Sequence, residues 1–331
     1  MAAPKIKLSS GRYMPILGLG TWLSTDEREL TTVVKSALDN GYRLIDTAFL
    51  YGNEAIIGKA LKEYFETGKL KRKDVFITTK LPMTAHAPED VEKCVNMQLK
   101  ALQTDYIDLY LIHGPVPFKR EKDSFALAFE KDKQVPVTIP HLLTWRAMEK
   151  LLYEGKLKAL GLSNFNAKQI QLIYDSARVK PANLQVECHI YLPQEDLLEF
   201  CRERNITVTA YAPLGSPGAR LAMPNVKWPT EEPLKEPVVK ELANKYNKTA
   251  AQILLRFLVQ QGVAVIPKTI KPERAKENID IFDFHLSPVD MQKLASVKTR
   301  LRFSTWNFAF GHPFFPFDDV DQTKGPVPLK S

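Results

Sequence analysis

The chain has 331 residues, 44% of them hydrophobic and 25% charged, the balance of an ordinary soluble globular protein with room for a large core. The net charge of +8 comes from basic residues spread along the chain, which favours anionic small ligands and argues against a nucleic-acid-binding stripe. There is no apolar run of about 18 residues, no basic-then-apolar leader and no metal spacing around Cys94, Cys188 and Cys201, so a membrane span, secretion and a disulfide framework are not expected and a cytoplasmic location is.

Ile6–Ile16 reads as a small hairpin turning at Ser10-Gly11. Ile16–Gly20 is a short buried strand ending in Thr21-Trp22. Asp26 is placed to cap a helix carrying Leu30, Val33, Val34, Ala37 and Leu38 at helical spacing, stopped by Asn40-Gly41. Arg43–Ile45 is then a strand running straight into Asp46, with Tyr51 in the following loop and a helix over Glu54–Phe65. The rhythm repeats: strand 75–80, helix 88–102 opening on Pro88, strand 107–113, a long loop, helix 140–153, strand 157–163, helix 167–176. Strand 184–188, helix 194–204 and strand 207–212 follow, then a second long loop, helical patterns over 236–246 and 249–261, strand 263–266, and helices 272–279 and 288–298.

Eight strands of continuous, β-branched-rich character alternate with helices, and their starts at 43, 75 and 107 are evenly spaced, one strand–helix unit per step. This predicts a single α/β domain over residues 1–331, a (β/α)8 TIM barrel with an N-terminal hairpin. An open dinucleotide-binding sheet would want a third glycine after Gly18-Leu-Gly20, where Leu23 stands instead. Gly114–Ile139 and Gly215–Lys235 follow strands and therefore sit on the C-terminal face, where barrel enzymes build their sites. These loops and the tail from Arg300 are rich in bulky apolar residues and suggest pocket walls, with the tail as a covering loop. The end of the chain, around residues 323–331, is expected to be mobile.

A carboxylate at the end of a buried strand is costly unless a cation meets it. Lys80 ends the neighbouring strand and His113 the next, so Asp46, Tyr51, Lys80 and His113 fall side by side on one rim. Singly, Asp46–Lys80 reads equally as a structural ion pair, Tyr51 as a packed tyrosine and His113 as a core histidine. Together they form an acid–base set in which Lys80 is expected to lower the Tyr51 pKa and His113 to orient a carbonyl oxygen. No strong nucleophile or metal cluster accompanies them, so the natural partner reaction is hydride arrival at a carbonyl carbon from a dinucleotide. Lys268 and Arg274, flanking a helix start at Pro272, read as a phosphate site, which argues for NADP over NAD, or as a merely solvated helix start.

Gly18-Leu-Gly-Thr-Trp22, Leu44-Ile-Asp-Thr-Ala48 with Tyr51-Gly-Asn-Glu54, Ile77-Thr-Thr-Lys80, Leu109-Tyr-Leu-Ile-His113, Gly161-Leu-Ser-Asn-Phe165, Gln185-Val-Glu-Cys-His189, Ala210-Tyr-Ala-Pro-Leu-Gly-Ser216 and Ile266-Pro-Lys-Thr269 resemble, in order, the signatures of the aldo-keto reductases, in particular the aldose/aldehyde reductase-like branch. The resemblance implies NADPH-dependent reduction of small aldehydes and ketones by a monomeric barrel, with Asp46, Tyr51, Lys80 and His113 catalytic and Tyr51 the general acid. It implies that Ser163, Asn164 and Gln185 hold the nicotinamide carboxamide and that Tyr211 stacks on the ring. The resemblance also places Gly20, Thr21, Trp22 and Asp46 in the same region and implies that Leu214 and Ser216 touch the pyrophosphate. By the same resemblance Lys268, Thr269 and Arg274 would bind the 2′-phosphate, with Glu277 and Asn278 near the adenine. Pocket walls are expected from Trp22, Leu50, Tyr51, His113, Phe118, Phe125, Trp228 and Trp306. Two departures stand out: Gly114 and Pro82 replace tryptophans that aldose reductase-like members often carry, so two aromatic walls are expected to be missing and bulkier carbonyl substrates to fit. The other readings are a weakly active NADPH-binding regulatory or structural homologue, and a barrel hydrolase or aldolase using Lys80 as a nucleophile, which Asp46 disfavours by keeping Lys80 charged.

Overall fold

The computed structural model describes residues 3–130, 133–226 and 228–323; most of the segment expected to be mobile, from residue 324 on, lies outside them. Eight parallel strands form one sheet: β3 (Leu19–Gly20), β4 (Leu44–Asp46), β5 (Phe76–Leu81), β6 (Leu109–Ile112), β9 (Leu160–Ser163), β10 (Asn183–Glu187), β11 (Thr207–Tyr211) and β12 (Ala264–Val265), hydrogen-bonded in that order. The two edges meet. Gly18 N donates to Val265 O at 2.9 Å, Val265 N donates to Ile16 O at 2.8 Å and Gly20 pairs with Lys268, so the sheet closes into a barrel. At this seam Gly20 has no room for a side chain, because a Cβ would lie 2.6 Å from the Ile266 carbonyl oxygen.

The helices form as the spacing predicts. In α1 (Glu27–Asp39) the Asp26 carboxylate accepts from Glu29 N, the five apolar residues are buried, and Gly41 leaves the helix at φ +99°. The helix α2 (Glu54–Glu66) packs between α1 and α3 (Pro88–Leu102), and α3 packs on α4 (His141–Tyr153). Residues Ala167–Ser176, Glu195–Glu203, Pro237–Tyr246, Ala250–Gln260, Pro272–Ile279 and Pro288–Ala295 supply the remaining long helices (α5, α6, α8, α9, α10 and α11). Two elements were not expected: a small hairpin in the first long loop, β7 (Phe129–Glu130) with β8 (Lys133–Gln134), and a short helix, α7 (Pro217–Ala222), in the second.

The strand period of two divides the barrel interior into an apolar floor and a polar top. Leu44, Phe76, Leu109 and Leu111 cluster with Leu8 and Met14, which the N-terminal hairpin β1 (Lys5–Lys7) and β2 (Tyr13–Pro15) brings beneath them. Each fully buried leucine there contributes roughly 1.5–3 kcal/mol. Further along the same face of these strands come Asp46 and His113, two residues past Leu44 and Leu111, and Lys80, four past Phe76. The floor that seals the barrel and the groups at its mouth are thus successive positions of one inward-facing pattern.

Candidate active site

Lys80 is fully buried, and its ammonium donates to Asp46 Oδ1 at 2.7 Å, to the Thr47 carbonyl at 2.8 Å and to the Tyr51 hydroxyl at 3.5 Å. Asp46 Oδ2 accepts from the Gln185 amide at 2.7 Å. Tyr51 lies on a 3-10 turn (Phe49–Tyr51), and its ring meets the His113 imidazole edge-on at 5.7 Å. The four residues predicted from strand ends are therefore brought together.

Burial raises the Asp46 carboxyl and lowers the Lys80 ammonium, and their mutual attraction opposes both shifts. Burial, helped by the Lys80 ammonium and by His86, holds His113 well below the usual histidine range, so its imidazole is neutral. The expected lowering of Tyr51 is overturned: burial, the Asp46 carboxylate and Tyr211 push its phenol well above the ordinary tyrosine range. The ammonium lies closest to Asp46 and Thr47, and its contact with the phenol is the longest of the three.

Around this centre Thr21 Oγ1 donates to the Asp46 carbonyl at 2.9 Å. Asn164, at φ +61°, donates to the His113 carbonyl at 2.9 Å and to Ser163 Oγ at 3.1 Å, and accepts from the Tyr211 hydroxyl at 2.8 Å. Ser163, Asn164, Gln185 and Tyr211 thus already form one bonded shelf with the acid–base set. Thr269 is buried, Lys268 is half-buried and Arg274 is exposed, and among the described residues neither cation forms an ion pair. Glu277 accepts from Thr249 Oγ1 at 2.8 Å, Asn278 is buried, Leu214 packs partly against the core, and Ser216 precedes α7 in a left-handed conformation.

The aromatic residues divide. Trp22 and Leu50 are exposed at 41% and 43%, available to a ligand. Phe118 and Phe125 are buried, the first against Phe308 and His312, the second edge-on to Phe49, so both support the loops from behind. The Trp228 indole donates to the Met223 carbonyl within its own loop. Trp306 corrects the expectation at one of the two positions, Gly114. Its indole lies against Gly114, so close that a Cβ at 114 would sit 2.1 Å from the ring, and it packs on Phe308 and Phe317. The tail fills the place that a side chain after His113 would take.

The tail itself hangs on a residue absent from the sequence reading. Glu187, fully buried at the end of β10, accepts from Phe303 N at 2.6 Å, Ser304 N at 2.8 Å and the His189 ring at 2.9 Å. The signal that found Asp46, a carboxylate closing an apolar strand, applies to Glu187 equally.

The sequence model of the aldo/keto reductase family matches residues 16–299. The chain belongs to the aldo-keto reductase family. Aldo-keto reductase family 1 member A1 from Bos taurus is 46% identical over 96% of this chain and 99% of its own length, and the Homo sapiens member A1 is 44% identical with the same coverage. Aldose reductase from Schistosoma japonicum superposes with a TM-score of 0.87 at 41% identity, covering 95% of this chain and 99% of the other. This aldo-keto reductase is accordingly an oxidoreductase of carbonyl compounds on a (β/α)8 barrel, of a family that works with a nicotinamide cofactor. No helix among its described residues is long and apolar enough to cross a membrane.

Proposed function

We propose that the protein reduces aldehydes and ketones to alcohols with NADPH, and that Tyr51 delivers the proton. The observation that supports this best is the phenol held in its protonated form within reach of a buried ammonium, beside a neutral imidazole. A reduced nicotinamide, held beside this set, would supply hydride to the carbonyl carbon. As negative charge grows on the carbonyl oxygen, Tyr51 donates its proton there, and the phenolate left behind faces the Lys80 ammonium. Asp46 holds that ammonium in place, and His113 orients the carbonyl oxygen through a ring N–H. The residues present fit the cofactor. Ser163, Asn164, Gln185 and Tyr211 would hold the nicotinamide, with Gly20, Thr21 and Trp22 nearby. Leu214 and Ser216 would meet the pyrophosphate. Lys268, Thr269 and Arg274, at the open start of α10, would take the 2′-phosphate, with Glu277 and Asn278 by the adenine.

Initial rates with NADPH and an aromatic aldehyde test the reading directly, and absence of turnover over a broad carbonyl panel would overturn it. The cofactor choice has its own test. Lys268→Met with Arg274→Ala should raise KM for NADPH by about 10–100-fold while changing KM for NADH little, since each removes a charge-assisted contact to the extra phosphate. Equal losses for both cofactors would remove these residues from 2′-phosphate recognition.

The tail covers one side of the pocket through Trp306. Trp306→Ala should raise kcat/KM for bulky ketones relative to small aromatic aldehydes by about 10-fold, the scale at which apolar pocket volume discriminates. An unchanged ratio would take Trp306 out of the pocket wall.

A further inference from the structure

Glu54 is a buried carboxylate that the scheme above leaves unused. It is 6% exposed, at the first position of α2, where unpaired backbone N–H groups favour a negative charge. Its Oε1 accepts from the Thr79 hydroxyl at 2.6 Å and from the Gln98 amide at 2.8 Å. The Gln98 oxygen in turn accepts from the Tyr110 hydroxyl at 2.6 Å, and the Gln98 amide also reaches the Lys80 carbonyl at 3.3 Å. Apart from that longer contact to the Lys80 carbonyl, the donors of this chain run toward Glu54, the arrangement that suits an ionised carboxylate. Thr79 and Lys80 are consecutive on β5 and point to opposite faces, so Glu54 and the Lys80 ammonium lie on either side of a wall one strand thick.

We infer that Glu54 is a positioning residue: from outside the barrel wall its carboxylate is the second negative neighbour that keeps the Lys80 ammonium charged in a site closed to water. The need is physical. Lys80 is buried with a single carboxylate in contact, and an ammonium so placed tends to lose its proton. The groups facing Glu54 do not supply another cation. On α3 it is Cys94, pushed toward its neutral form by burial; Asp90, beyond it, is paired with Arg120 and Lys93. On β6 it is Tyr110, also held neutral, and on β5 it is Lys80 itself. Burial raises the Glu54 carboxyl, and its two donors and the Lys80 ammonium pull it back; the same attraction supports the ammonium.

The inference rests on the assignment of Lys80 and Tyr51 to the acid–base set, but it can be read without turnover. In the full chain carrying 13C-labelled lysine, the Lys80 signal, assigned with Lys80→Met, is titrated in wild type and in Glu54→Gln. Removing a negative neighbour lowers a cation's pKa, so Lys80 should release its proton about one pH unit lower in the variant. Titration at an unchanged pH would overturn the inference. Should Glu54→Gln not fold, Thr79→Val serves: it strips one donor from Glu54, favours the neutral acid, and should shift Lys80 the same way by less. A role confined to joining α2 to α3 would lower the melting temperature in either variant and leave the Lys80 titration where it was. Failure of the Tyr51 assignment is read separately, from turnover of Tyr51→Phe.

Discussion

Tyr51→Phe should bind NADPH as wild type does and reduce an aldehyde about a thousandfold more slowly. The substitution keeps the ring that packs on His113 and removes one hydroxyl. Lys80 loses its longest contact and keeps those to Asp46 and Thr47, so the buried pair stays whole. What disappears is the proposed proton donor, and a positioned general acid contributes on the order of a hundred- to ten-thousandfold in rate. Quenching of tryptophan fluorescence measures cofactor binding, and NADPH oxidation measures turnover. A wild-type rate in this variant would exclude Tyr51 as the donor.

Lys80→Met should be the most destabilising single change at the site. It strands Asp46 in the barrel with, among the described residues, only the Gln185 amide donating to its carboxylate, and removal of one member of a buried ion pair costs about 3–5 kcal/mol. The loss has a defined pH dependence. Without the ammonium, the folded carboxyl holds its proton more tightly than the unfolded one. The penalty is therefore absent below the unfolded pKa of about 4 and grows as pH rises from there toward the raised folded value. Adding Asp46→Asn removes the stranded charge and should recover most of the stability while leaving turnover near zero. Denaturant midpoints across the pH range check the first expectation. A double variant no more stable than Lys80→Met would show that the pair's charge is not what the single change disturbs.

Strand ends made the centre of the site readable in advance. Asp46, Lys80 and His113 each terminate an apolar run, and a polar group following buried β-structure must be met by something; parallel strands in consecutive units then place the three together. Helix limits were readable for the same local reasons, as at Asp26 and Gly41. The failures share a different cause. The Glu54–Gln98 bond joins two helices across 44 positions; each residue is a polar interruption of its own helix's buried stripe, but nothing local to either stripe says that the two meet. The contact of Trp306 with Gly114 depends on a loop path that no periodicity encodes, so Gly114 read as a missing wall when the wall comes from elsewhere in the chain. The direction of the Tyr51 shift also escaped. A sequence places a lysine near a tyrosine, but it does not say that Asp46 and Thr47 hold the ammonium more closely.

The Glu187 anchor separates two jobs along the chain. It fastens the tail's backbone at Phe303 and Ser304 to the end of β10, and three residues later the tail presents Trp306 over Gly114. A fastening through main-chain N–H groups is indifferent to the side chains that follow it. The segment beyond adds ties of its own, the His312 ring at 2.9 Å from the Pro117 carbonyl and the Gln169 amide on the Phe314 carbonyl, so the cover is clasped at both ends of its arc rather than left to swing.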